Sequence, residues 1–106
     1  MSDAILALTE KEYETAVAKG IVLVDFWATW CGPCRMQGQI LEEMIPQLPA
    51  GVRVGKVDVD SDPALAARFN VRSIPTLVIL KDGKPVKQFV GVQNAAALLA
   101  ALRAAG

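Results

Sequence analysis

Histidine is absent from this sequence and cysteine occurs only twice. Without histidine the commonest general base is missing, and with it the Ser/His/Asp and Cys/His nucleophile systems. A metal centre usually draws three or four Cys, His or carboxylate ligands, so two thiols supply at most half of a zinc site shared between chains. An excess of one charge is also lacking. Eleven basic residues balance eleven acidic ones, leaving no one-signed field to attract nucleic acid or anionic lipid. Long hydrophobic runs are missing too: the stretches 21–24 and 76–80 are strand-sized, far short of the roughly twenty residues a membrane-spanning helix needs. The start, Met1-Ser2-Asp3-Ala4, has neither the basic opening nor the apolar stretch of a secretory signal, so a cytoplasmic location is expected. Any catalysis falls to sulfur and carboxylate.

What is present suffices for a core. The 106 residues, 53% of them hydrophobic, are expected to form one domain over 1–106, burying roughly two thirds of the extended-chain surface on folding. Turn residues at Gly20, 49–51, 61–63 and Asp82-Gly83 divide the chain without repeats or long linkers. The stretch 5–8 predicts an edge strand, and Thr9 with Glu12 forms a capping-box pattern for a helix ending before Gly20. Residues 21–27 are apolar at successive positions, as in a central strand covered on both faces. Ile40, Leu41, Met44 and Ile45 have helical spacing, with Pro46 bending or ending that helix. Val52, Val54, Val57 and Val59 predict the next strand, parallel to 21–27 because the span between them holds a helix. The second half reads differently. Asp62-Pro63 opens a short helix to about Phe69, and 76–80 is a buried strand. Asp82-Gly83 then makes a hairpin to an antiparallel strand over 85–90. Asn94 caps a last helix that packs Leu98, Leu99 and Leu102 onto the sheet. A βαβ half joined to a ββα half predicts an α/β fold, a mixed sheet with helices on both faces.

Trp30-Cys31-Gly32-Pro33-Cys34 follows the central strand and opens a helix, a setting in which Cys-x-x-Cys reads as a redox pair. Together with Asp25-Phe26-Trp27, Lys56, Ile74-Pro75-Thr76, Asp82-Gly83 and Gly91, this segment resembles the thioredoxin family in order and spacing over essentially the whole length. The resemblance implies the thioredoxin fold and dithiol–disulfide exchange with protein substrates. It also implies a redox-active Cys31–Cys34 disulfide with no bound cofactor or metal, and recycling by an NADPH-dependent flavoprotein, thioredoxin reductase. A monomer is expected.

The residues support those roles. Cys31 is expected just ahead of the helix, where unpaired N–H groups and the helix dipole favour a thiolate. It is the expected attacking sulfur, and Cys34, one turn inward and more covered, the resolving one. Lower basicity also lowers nucleophilicity, so the net gain in attack rate is only about three-fold. Docking the target and holding Cys34 ready must supply most of the rest. Asp25, a carboxylate within an apolar strand, is expected to be desolvated with a raised pKa. The resemblance makes it the proton acceptor for Cys34, directly or through a water, with Lys56 on the adjacent strand as its charge partner. The bland alternative makes both ordinary solvated strand-end residues. In the family the proline matching Pro75 follows a cis bond, and Ile74 offers its backbone to an extended substrate. Trp30, Gly32, Pro33, Val90, Gly91 and Val92 are expected to form an apolar rim around that site. Trp27 and Phe26 are expected in the core.

Departures from the family are Gln39, preceded by Gly38, where a helix-kinking proline is common, Arg35 in place of lysine, and the early stop at Pro46. Rival readings are a purely structural disulfide, which closes too short a loop to stabilise much, an oxidase or isomerase on the same fold, and a non-catalytic binding module. Gly32-Pro33 between the cysteines, rather than histidine, favours a reductant.

Overall fold

The computed structural model describes residues 4–106, so the signal-peptide reading of residues 1–3 lies outside the described residues. The elements are β1 (Ile5–Ala7), α1 (Glu10–Val17), β2 (Ile21–Trp27), α2 (Gly32–Met44), β3 (Arg53–Asp58), α3 (Pro63–Arg68), β4 (Thr76–Lys81), β5 (Lys84–Val90) and α4 (Ala95–Ala105). A 3₁₀ turn, Ile45–Gln47, follows α2 where Pro46 stops it, as a residue without an N–H must. The sheet runs β1-β3-β2-β4-β5. Strands β1, β3 and β2 are parallel, while β4 is antiparallel to both β2 and β5.

Side-chain alternation along β2 divides the core in two. Val22, Val24 and Phe26 face a cluster built with Tyr13, Val17, Leu65 and Ala66 of α1 and α3. Leu23 faces the opposite cluster, with Leu41 and Met44 of α2 and Leu98, Leu99 and Leu102 of α4. Asp25, two residues after Leu23, therefore falls on the α2 side of the sheet. Alternation thus places a carboxylate beneath the helix that carries Cys34.

Local chemistry explains the turns. Asp82 and Gly83 both have positive φ, 49° and 82°, the backbone a two-residue hairpin with native twist requires. Asp82 Oδ1 accepts the Gly20 N–H at 2.8 Å, tying this hairpin to the turn before β2. Asn94 caps α4 by accepting the Ala97 N–H at 2.8 Å. The expected capping box of α1 forms differently: the Thr9 side chain makes no bond to the helix backbone, because its hydroxyl donates to Glu12 Oε1 at 3.0 Å.

Gly38 lies inside α2, and a Cβ there would meet nothing within 4 Å. Gly38→Ala is expected to stabilise the protein by up to about 1 kcal/mol, because alanine loses less backbone freedom in a helix. A urea midpoint that moves down instead would show that the residue is needed for another reason.

Candidate active site

The two sulfurs meet at the start of α2. Cys31 is its N-cap, in extended conformation, and Pro33 occupies the first turn, where a missing N–H leaves no helical bond unmade. Cys31 and Cys34 form a disulfide with Cα atoms 5.2 Å apart. The Cys34 N–H points at Cys31 Sγ, 3.2 Å away, so one of the helix's otherwise orphaned donors is aimed at this sulfur. The expectation that Cys34 is the more covered of the two is not met, for both residues are 4% exposed. What separates them is the backbone: only Cys31 Sγ receives this helix-terminal N–H.

The second wall is the segment before β4. The Ile74–Pro75 peptide is cis, and Ile74 O lies 3.8 Å from Cys31 Sγ. Pro75 is buried, so it belongs beneath the expected rim rather than on it. Its carbonyl accepts the Gly91 N–H at 2.8 Å, which ties the end of β5 to the cis segment. Around the sulfurs Gly32 and Pro33 are exposed, as are Trp30 (66%), Val90 (63%) and Val92. Gly91, with φ 89°, lies between the two valines. The rim residues are thus brought together. Met36, in the first half of α2, is also exposed, at 58%. Trp30 Nε1 donates to Asp60 Oδ2 at 2.8 Å, fixing the exposed indole through a residue thirty positions away that nothing in the local pattern marks.

Asp25 is fully buried, and neither carboxylate oxygen has a hydrogen-bond partner among the described residues. Burial pushes its carboxyl up to about 7, while the positive charge of Lys56 pulls the other way. The solvated-strand-end alternative for Asp25 is thereby excluded. Lys56 is the register partner of Asp25 on β3, yet its ammonium sits over the Trp27 ring, 4.3 Å from the centroid. It acts on Asp25 through its field rather than by a hydrogen bond, holding its own charge against an aromatic face. Trp27 is accordingly only partly buried, and the core position expected for it is corrected to the wall of a cleft. That cleft, about 520 Å³, is lined by Trp27, Cys34, Arg35, Gly38, Glu42 and Lys56 among others, so it opens beside the inner cysteine of α2. Lys56→Met is expected to raise the Asp25 pKa further above the carboxylate range, since desolvation then acts unopposed. An NMR titration of the Asp25 carboxyl that leaves its pKa unchanged would remove Lys56 from the site's electrostatics.

Gln37 is a further residue that sequence reasoning missed. It is fully buried, and its carboxamide bonds both backbone groups of Gln93. One signal for it existed: Cys34, Gln37, Leu41 and Met44 form the buried stripe of α2, so a polar residue occupies an apolar position. Among the described residues, no group of three or more His, Cys, Asp or Glu side chains is placed to hold a metal ion. No helix among them is long and apolar enough to cross a membrane.

A mixed sheet flanked by helices, with two bridged sulfurs at a helix N-cap facing a cis-proline segment, defines a protein-disulfide oxidoreductase. The comparisons agree. The family model described as Thioredoxin matches residues 4–104. Thioredoxins of Staphylococcus aureus strains Mu50 and MW2 are 47% identical to the chain over 90 residues, covering 85% of it and 86% of each relative. A solved structure, a mutant thioredoxin from Halobacterium salinarum NRC-1, superposes with a TM-score of 0.86 at 36% identity, covering 96% of this chain and 90% of that one. The chain belongs to the thioredoxin family.

Proposed function

We propose that the protein is a general protein-disulfide reductase of the cytoplasm, working as a monomer of one domain over 1–106 with no bound cofactor. The Cys31 thiolate attacks one sulfur of a target disulfide, forming a Cys31–target bond and releasing the other target sulfur as thiolate. Cys34 gives its proton to the Asp25 carboxylate and attacks Cys31 Sγ. The Cys31–Cys34 disulfide forms, the second target thiolate leaves, and two electrons have passed from the pair to the target. Thioredoxin reductase, a flavoprotein drawing on NADPH, returns two electrons and reopens the pair. Lys56 sets how readily Asp25 holds a proton. The rim of Trp30, Gly32, Pro33, Val90, Gly91 and Val92 receives the target, and the Ile74 backbone, lying before the β4–β5 ladder begins at Thr76, pairs with an extended segment of it above Pro75.

The observation that carries this reading is the Cys34 N–H directed at Cys31 Sγ, beside the exposed apolar side chains of Trp30, Val90 and Val92. The protein is expected to reduce insulin disulfides in the presence of thioredoxin reductase and NADPH. Absence of turnover would overturn the reductase assignment. A midpoint potential near about −120 mV, the range of strong oxidants, would reverse the direction of electron flow.

A further inference from the structure

β5 ends at Val90, and the 91–93 loop that follows has left the sheet ladder. Gly91 brings no side chain of its own. The loop is held instead by a chain of hydrogen bonds that begins on α2. Gln37 Oε1 accepts the Gln93 N–H at 2.7 Å, and Gln37 Nε2 donates to the Gln93 carbonyl at 3.1 Å. Gln93 Nε2 in turn donates to the Gly91 carbonyl at 3.2 Å, and the Gly91 N–H reaches the Pro75 carbonyl at 2.8 Å. The circuit closes where Ile74 O meets Cys31 Sγ at 3.8 Å.

Only a carboxamide does this. It offers one donor and one acceptor in a plane, matching the N–H and C=O of a single backbone residue. A carboxylate of the same length lacks the donor, and an apolar side chain leaves both backbone groups without this partner in a partly buried place. We propose that Gln37 is a positioning residue for protein docking: its buried carboxamide fixes the 91–93 side of the rim to the helix that carries Cys34. The inference rests on the reading that this rim receives the target protein. Gln37 does not touch the sulfurs, and the N–H that Cys31 Sγ accepts comes from Cys34 within α2. Its loss therefore shifts the loop against Trp30 and Ile74 while leaving the cysteine geometry in place, and a displacement of about 1 Å is enough to weaken a docked geometry severely.

The test is a steady-state comparison of Gln37→Met with the wild type, using insulin as substrate with thioredoxin reductase and NADPH. The variant is expected to raise KM for insulin five-fold or more with kcat within two-fold. Amide hydrogen exchange at Gln93 and Gly91 is expected to accelerate at least ten-fold. Gln37→Glu keeps the length and the acceptor but not the donor, so a smaller rise in KM is expected, and it serves alone if Gln37→Met does not fold. An unchanged KM in the folded variants would leave Gln37 a packing residue and overturn the proposal. A fall in kcat with KM constant would also overturn it, by moving the effect to the sulfurs. Wild-type protein that fails to turn insulin over would overturn the functional reading instead, so the two failures are distinguishable.

Discussion

Cys34→Ser is expected to stop turnover after its first half and leave target proteins covalently attached to Cys31. Serine preserves the size of the side chain, but a neutral hydroxyl does not displace a thiolate from a disulfide at neutral pH. The mixed disulfide then waits for an external thiol. Well-oriented intramolecular groups act at effective molarities of about 10⁵ M and above, whereas external thiols are present at roughly millimolar levels, a ratio that lets resolution slow by as much as about eight orders of magnitude. Non-reducing electrophoresis followed by mass spectrometry reads the adducts directly. The companion change Cys31→Ser should give neither turnover nor adducts, because no sulfur at the helix terminus remains to open the target. Reduction of insulin at the wild-type rate by either variant would eliminate the two-step exchange.

Asp25→Asn is expected to stabilise the protein at alkaline pH and abolish one limb of its pH dependence. The carboxyl titrates near 3.8 when solvated and near 7 in the folded protein, burial being the larger cause and Lys56 the opposing one. Between those values the folded chain holds one proton more than the unfolded chain, so stability falls as pH rises through this window and levels off above about 7. A shift of that size corresponds to a loss on the order of 4 kcal/mol. Asparagine carries no charge and escapes the penalty, although its own unpartnered amide offsets part of the gain. The expected result is a variant more stable than wild type by about 2 kcal/mol or more at pH 8, and nearly equal to it at pH 4, in urea unfolding followed across pH. Equal stabilities at pH 8 would place the Asp25 carboxylate in contact with water or a cation. With Asp25 in its proposed role as acceptor of the Cys34 proton, the variant should also slow the resolving step. A protein that retains an ionisable group costing this much when charged carries it for chemistry rather than for folding.

Much of this arrangement was legible in the residues. The successive apolar residues of β2 announced a strand covered on both faces, and the one carboxylate among them, Asp25, announced a desolvated acid. The 30–34 segment, following that strand and opening a helix, announced a cysteine just ahead of the helix, where Cys31 is the N-cap. These are local signals, each carried by spacing along the chain. Pairings between distant residues left no such trace. Asp60 beneath the Trp30 indole and Gln93 beneath Gln37 are set by how helices and loops come together on the sheet. Lys56 shows the limit in another form. Its register opposite Asp25 follows from the parallel strands, but the direction of its ammonium is decided by a competition between a buried carboxylate and the partly exposed Trp27 face. The ammonium lies over the indole, 4.3 Å from the ring centroid. The equal burial of the two cysteines likewise departs from a simple reading of helix depth, since the 74–75 segment covers the outer sulfur as the helix covers the inner one.

The bridge joins residues only three positions apart, within the opening turn of one helix. Opening it frees no long segment of chain and disconnects no strand from the sheet. The change of oxidation state is thereby confined to a few atoms, and the scaffold that presents them stays assembled from one round of exchange to the next.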